Sequence, residues 1–306
     1  MSNKRVLVLM STYNGDKYVE EQIRSIMQQE SEYDIDLRIR DDGSNDGTCQ
    51  TITEMQREYP GRIELIRGER IGCNASFFHL LNDAEGYKYY ALSDQDDVWL
   101  PNKVQVACEH LDKENSDSPL LFASTSYLVG DDLKPYGKTR TKLKEFSIYN
   151  TIIQNICPGH TQVMNNALLE LVRGDIDTSK IYVYDSWITN MAVLCGKVLF
   201  SNDSFSYYRQ HKMNQLGSGV GGIGQLLTSS RRTKSGDGKK YRRQIEHFII
   251  ANEEKLAQKG FIKELNAFVD AHSFLDRLRY VTRSKLCRQS RLETIAFDLA
   301  VLAGKF

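Results

Sequence analysis

Tyr87-Lys88-Tyr89-Tyr90-Ala91-Leu92-Ser93-Asp94-Gln95-Asp96-Asp97 decides the fold. Its first half, Tyr87–Leu92, is aromatic and apolar and reads as a buried strand. Its second half is a cluster of acids, which a strand interior does not hold, so the strand ends there on a polar rim. Two earlier segments repeat the pattern. Arg5–Met10 reads as a buried strand running into Ser11-Thr12-Tyr13-Asn14-Gly15, and Asp36–Ile39 leads into Arg40-Asp41-Asp42-Gly43-Ser44.

Helical stretches separate these strands. Asp16–Gln29 carries Tyr18, Val19, Ile23, Ile26 and Met27 on one stripe. Asp46 is placed to cap a helix that runs to Tyr59, before Pro60. Arg62–Ile66 is a third strand, Ala75–Asn82 a helix, and Pro101 opens another helix ahead of a fifth strand, Leu120–Ser124. Strands alternating with helices predict a parallel sheet covered on both faces. In such sheets ligands bind beyond the carboxyl ends of the strands. The three polar strand ends therefore converge on one rim.

Beyond residue 130 the alternation weakens. Lys134–Glu145 reads as a polar loop over the site, Tyr184–Leu194 as a helix, and Lys197–Phe200 and Phe205–Tyr208 as extended chain. Asp131-Asp132 and Asn202-Asp203 read as turns. Gly217-Ser218-Gly219-Val220-Gly221-Gly222 reads as a flexible joint, and Ser229–Lys240 as a mobile polar stretch. The remainder reads as helices, with Phe261, Leu265, Phe268, Leu275 and Leu278 near one face.

The chain has 306 residues, 41% of them hydrophobic and 26% charged, enough apolar material for one large α/β domain with a helical appendage. Its formal net charge is zero, but residues 225–306 hold 17 Lys/Arg against 9 Asp/Glu, and the preceding 224 hold 23 against 31. An acidic body with a basic tail implies two surfaces with different partners. Cys49, Cys73, Cys108, Cys157, Cys195 and Cys287 are scattered with no C-x-x-C pair, which argues against zinc and disulfide frameworks and suits a reducing cytoplasm. There is no signal-peptide layout and no apolar run near the roughly 18–20 residues that span a bilayer, so any membrane role is peripheral.

The rim chemistry suits a nucleotide-diphosphate sugar. Tyr13 offers a face for base stacking, and Asp41 or Asp42 can accept a hydrogen bond from a pyrimidine N–H. In Asp94-Gln95-Asp96 one carboxylate can reach a ribose and the other a divalent cation. Mg²⁺ and Mn²⁺ favour such oxygen ligands and neutralise a departing diphosphate.

These motifs resemble the N-terminal motifs of family 2 glycosyltransferases: Ser11–Gly15, then Asp41-Asp42-Gly43-Ser44-Asn45-Asp46-Gly47-Thr48, then Ser93–Trp99. Glu69-Arg70-Ile71-Gly72 with Ser76-Phe77-Phe78 resembles the family segment behind the donor base. Tyr184-Asp185-Ser186-Trp187 and Tyr208–Gly217 extend the likeness, over roughly residues 5–217, to bacterial rhamnosyltransferases of cell-wall polysaccharide synthesis. The resemblance implies a GT-A fold, a three-layer α/β/α arrangement with a mostly parallel sheet and a C-terminal helical extension. It implies a catalytic domain over residues 1–217, with a nucleotide half to about 125 and an acceptor half beyond, and a basic extension over 218–306.

It implies residue roles as well. Thr12, Tyr13, Asn14, Asp41, Asp42, Arg70, Asp94 and Gln95 would hold the donor, a dTDP- or UDP-sugar. Asp96 and His211 would hold Mn²⁺ or Mg²⁺. Asp185 would be the general base of an inverting transfer; the family's usual Glu-Asp pair is here Tyr184-Asp185. His160 and Trp187 would face the acceptor, a glycan or lipid-linked glycan. No nucleic-acid partner is expected, and the place of action is the cytoplasm, with the basic tail contacting the inner face of the membrane.

Simpler readings compete at several positions. Asp185 can cap its helix, Trp187 can be core, and His211 can be a surface histidine. Alternative functions are a UDP-sugar-dependent glycosyltransferase and a non-catalytic nucleotide-binding protein. A nucleotidyltransferase would need a Gly-rich basic loop that Ser11–Lys17 does not form. A processive membrane-embedded synthase would need spanning segments and a Gln-x-x-Arg-Trp motif, where this chain has Tyr208-Arg209-Gln210-His211.

Overall fold

Strand β1 (Arg5–Thr12) sends alternate side chains into two different cores. Leu7 and Leu9 point to one face of the sheet, Val6, Val8 and Met10 to the other, and all five are buried. Period-two alternation with both sets apolar is what a strand needs when helices cover both sides. The computed structural model describes residues 4–174, 176–211 and 237–306. The glycine joint at 217–222, the segment 212–217 and the pair Arg231-Arg232 lie outside the described residues.

β1 pairs in parallel with β2 (Asp34–Asp41) and with β4 (Tyr89–Ser93), and β2 in parallel with β3 (Ile63–Arg67). Thr12 stands opposite Asp41, and Met10 opposite Ser93, so the three polar strand ends share one rim as expected. Short β8 (Val163–Asn165) runs antiparallel between β4 and β6 (Leu120–Val129). β9 (Lys197–Arg209) lies parallel to β6, and two-residue β5 (Val98–Trp99) lies antiparallel on β9. The sheet order is β3-β2-β1-β4-β8-β6-β9-β5, and β7 (Pro135–Lys138) pairs with β6.

Helices α1 (Val19–Met27), α2 (Thr48–Glu58) and α4 (Lys103–Asp112) cover one face. Helices α3 (Cys73–Asn82), α6 (Asn166–Val172) and α7 (Tyr184–Cys195), with short α5 (Ile148–Thr151), cover the other. The C-terminal helices are α8 (Asp237–Ala251), α9 (Glu253–Gln258), α10 (Ile262–Val269), α11 (Phe274–Val281) and α12 (Arg291–Leu302). Ile245, Phe248, Leu265, Phe268, Phe297 and Val301 join the same cluster as Leu7 and Trp187.

Several boundaries differ from the sequence reading. The two extended segments after residue 196 are one strand, β9, in which Asn202 and Asp203 are looped out where the register jumps from Ser124↔Ser201 to Thr125↔Ser204. The polar 134–145 stretch contains strand β7. Asp46 accepts from the Thr48 N–H at 3.0 Å, although Gly47 is the residue at the helix cap. Pro101 precedes α4 by two residues, with Asn102 at the cap. The C-terminal apolar stripe is split: Leu265 and Phe268 are buried, while Leu275 and Leu278 are 62% and 41% exposed. No helix among the described residues is long and apolar enough to cross a membrane.

Candidate active site

The rim begins where β1 and β2 end side by side. Thr12 Oγ1 donates to Asp41 Oδ1 at 3.0 Å, and the Ser44 N–H donates to Asp41 Oδ2 at 2.8 Å. Asn14 sits at φ 48, a left-handed conformation that asparagine tolerates. Its backbone N–H donates to Ser44 Oγ and its side-chain carbonyl accepts from the Asn45 N–H, tying the two strand ends together.

Tyr13 stands on the same rim with the Arg70 guanidinium 4.3 Å from its ring centroid. The two form a cation–π pair at the strand end. Gln95 clamps Tyr13 from the third strand end: its Oε1 accepts from the Tyr13 N–H and its Nε2 donates to the Tyr13 carbonyl. Gln95 is thus a brace for the stacking residue. Asp42, expected to contact the donor, has its carboxylate engaged within the protein. Its carboxylate accepts from Arg40 Nη1 at 2.7 Å and from the backbone N–H groups of Ile71 and Gly72, and it is buried. Asp42 fixes the segment that carries Arg70.

The acidic loop 94–97 is held between β4 and β5. Asp96 Oδ2 lies 2.6 Å from His211 Nε2, and the His211 ring stacks on Tyr18 at 5.1 Å. Arg209, buried and not singled out from the sequence, organises the loop from behind. Its backbone N–H donates to Asp97 Oδ1, its Nε to the Asp96 carbonyl and its Nη1 to the Asp131 carbonyl, while Nη2 pairs with Glu21.

A second cluster sits deeper. Ligand atoms of Asp94, Asp97 and His160 all lie within 4.8 Å of one another. His160 Nε2 is 2.8 Å from Ser126 Oγ, its ring stacks on Tyr208, and its Nδ1 is 3.7 Å from Asp97 and 3.8 Å from Asp94. His160 is 1% exposed, so the expectation of an acceptor-facing loop residue is overturned; it is enclosed between Ser126, Tyr208 and the acids instead. Burial, then Lys103, lowers its pKa to about 3, so the ring is neutral. Lys103 is also buried, lies over the Trp99 ring and donates to the His160 carbonyl. Burial pushes its pKa well down, while Asp97 and Asp94 oppose that.

Burial, then Asp96 and Asp94, pushes the Asp97 carboxyl well up, and burial, Asp96 and Asp185 push Asp94 up. Asp97 Oδ2 is buried without a hydrogen-bond partner among the described residues. Carboxylates crowded against each other with an orphaned oxygen and two imidazoles beside them fit a hard divalent cation such as Mg²⁺ or Mn²⁺.

Asp185 lies at the start of α7, close enough to Asp94 to raise that carboxyl. It is not the helix cap, a position held by Val183: the backbone N–H groups of Tyr182 and Val183 donate to the Gln244 side chain and that of Tyr184 to Asn74. Asp185 Oδ2 accepts from the Gly159 N–H at 2.8 Å, and Oδ1, with Asn155 nearby, has no hydrogen-bond partner among the described residues. Burial raises its pKa to about 6. Tyr184 stacks on Phe77 at 4.1 Å and its hydroxyl crowds Gly159. A Cβ on Gly159 would stand 2.1 Å from that oxygen, so only glycine leaves its N–H free for Asp185. Trp187 is corrected as an acceptor platform. It is 2% exposed, stacked on His247 and edge-on to Phe248 of α8, and its position two residues along α7 from Asp185 points it into the core.

Comparison with known proteins identifies the family and the fold. A model of the family described as Glycosyl transferase family 2 matches residues 7–170, more than half of the chain. The dTDP-rhamnosyl transferase RfbG of Shigella flexneri is 28% identical over 222 residues, 69% of this chain and 74% of that protein. The structure of S. aureus TarS 1-349 in complex with UDP-GlcNAc superposes with a TM-score of 0.54 at 18% identity, covering 98% of this chain and 91% of that one. The mannosyltransferase PcManGT from Pyrobaculum calidifontis, in complex with GDP-Man and Mn²⁺, gives 0.55 at 18% identity, covering 98% and 75%. The architecture is the GT-A type.

Proposed function

The chain belongs to glycosyl transferase family 2, and from that premise we propose that it transfers rhamnose from dTDP-rhamnose, with inversion, to a hydroxyl of a lipid-linked glycan in cell-surface polysaccharide synthesis. The observation that carries a transfer reaction is the pairing of two features on one rim. One is the Asp96–His211 contact; the other is buried Asp185 with an oxygen left unpartnered. The similarity to RfbG over most of the chain favours the rhamnosyl donor.

In this reading the stacked Tyr13–Arg70 pair forms one wall against the base, and Asp41, pinned by Thr12 and Ser44, accepts the pyrimidine N–H. Asp94 reaches the ribose. Asp96 and His211 hold Mg²⁺ or Mn²⁺, which neutralises the leaving diphosphate. Asp185 takes the acceptor proton as the glycosidic bond forms, because a free hydroxyl is too weak an acid to ionise first. The Gly159 N–H fixes the orientation of that base. Residues 1–217 would carry catalysis, divided near residue 125 between donor and acceptor, and 218–306 would be the extension. The enzyme would work in the cytoplasm at the inner face of the membrane, with no nucleic-acid partner.

A donor-hydrolysis screen over dTDP- and UDP-sugars with Mn²⁺ or Mg²⁺ tests the reading. Turnover of dTDP-rhamnose above all others is expected. Turnover of a UDP-hexose alone would replace it with the UDP-sugar reading that the TarS likeness favours. Tight nucleotide binding with no turnover of any donor would favour a non-catalytic role.

A further inference from the structure

Among the described residues, the ten large hydrophobic side chains most exposed to solvent are unevenly placed. Six of them, Phe274, Leu275, Leu278, Leu292, Ile295 and Leu299, lie on α11 and α12. These two helices pack against each other, and α12 ends beside Arg277 of α11. Each helix buries its opposite face: Tyr280 on α11, Phe297 and Val301 on α12. The exposed residues are therefore a surplus beyond what the core requires, with the spacing of one helical side: 274, 275, 278 and 292, 295, 299. Scattered exposed leucines need no explanation, but a cluster on adjacent helices does.

Charge around the cluster has one sign. Residues 272–306 contain seven Lys/Arg and three Asp/Glu. Each acid is engaged or withdrawn: Asp276 closes a capping box with Ser273, Glu293 pairs with Arg140 and Gln154, and Asp298 is half-buried. Arg279, Arg283, Lys285, Arg291 and Lys305 are exposed.

We propose that the outward faces of α11 and α12 form a docking surface for an anionic lipid bilayer. Apolar side chains would enter the headgroup boundary, and the arginines and lysines around them would meet lipid phosphates. The helices are too short and one-sided to span a bilayer, so they would lie in its plane. Charge complementarity selects this occupant over a second copy of the chain, whose matching surface would be equally positive and repel it. The inference rests on the reading that the acceptor is lipid-linked.

Flotation of the full chain with phosphatidylcholine vesicles, with and without phosphatidylglycerol, tests it. Binding should require the anionic lipid and fall as salt screens the surface. Leu275→Ser with Leu278→Ser and Leu299→Ser should abolish binding. Arg279→Glu with Arg283→Glu and Arg291→Glu should weaken it by on the order of a hundredfold. None of the six positions is part of the rim, so hydrolysis of a soluble nucleotide sugar by these variants should be unchanged, and that readout also reports that they fold. No binding of the parent chain at low salt overturns the proposal. So does a dimer, seen by light scattering, that the leucine variant dissolves, because a second copy then covers the face. Vesicle binding without turnover of any nucleotide sugar would leave the docking surface standing and remove the enzymatic reading instead.

Discussion

His211 Nε2 and Asp96 Oδ2 stand 2.6 Å apart although 115 residues separate them along the chain. Asp96 leaves the sheet after β4 and His211 follows the end of β9, so the contact joins the nucleotide half of the rim to the last strand. Chelation should abolish turnover, and Mn²⁺ or Mg²⁺ should restore it. His211→Ala should raise the metal concentration for half-maximal activity by about 10- to 100-fold, and Asp96→Asn should leave almost none. A metal titration of donor hydrolysis checks both, and unaltered metal dependence in His211→Ala would detach the histidine from the cation.

Asp185→Asn should keep donor binding and lose transfer, since it removes the proton acceptor and preserves the shape. It should also stabilise the protein at neutral pH. The Asp185 pKa, raised to about 6, means the folded state resists ionisation, so stability falls as pH climbs from the ordinary carboxyl range through 6. An uncharged side chain escapes that penalty, worth about 1–3 kcal/mol. Thermal melts of the two proteins should already differ at pH 5 and differ more at pH 8.

Transfer should show an acid limb with a midpoint near 6, the value to which burial raises Asp185. Below it the base is protonated and cannot accept the hydroxyl proton. Single-turnover transfer measured across pH 4.5–8 with saturating metal reads this directly. A limb near 4 would mean that a different, solvated carboxylate is the base.

Gly159→Ala should destabilise the protein by about 1–3 kcal/mol and depress transfer, because its methyl group would collide with the Tyr184 hydroxyl and push the N–H away from Asp185. Tyr184→Phe removes that oxygen and should recover part of both losses. The double-mutant cycle should show coupling between the two sites; additive effects would mean that the contact does not set the position of Asp185.

Trp187→Phe should lower stability by about 1–2 kcal/mol and leave the KM for acceptor unchanged, as expected of a ring packed on His247 and Phe248. A large rise in acceptor KM in a variant that still folds would restore the platform role.

The sheet and its rim were legible because β1, β2 and β4 carry apolar runs with abrupt polar ends. A parallel arrangement then leaves those ends no other place to go. Strands β5 and β8, of two and three residues, have no period to read; only their distant partners, β9, β4 and β6, make them strands. Lys103 did leave a signal. It shares the buried face of α4 with Ala107 and Leu111, where a cation is out of place unless acids wait opposite. His160 had no comparable mark, since its neighbours are assembled from β4, β6 and β9. Trp187, spaced with buried Met191 and Leu194 along one helical side, carried a core signature in that spacing, which the reading of it as an acceptor contact passed over.

The shared core also bears on how the protein is made. Leu7 and Leu9 are synthesised long before Phe297 and Val301, and all four belong to one contiguous cluster. The family match ends at residue 170, yet this core cannot close until α12 has been synthesised. During translation the nascent chain must carry unfinished apolar surface for most of its length, which invites chaperone engagement. A premature stop late in the message would therefore yield a product with every rim residue present but an open core, destined for degradation.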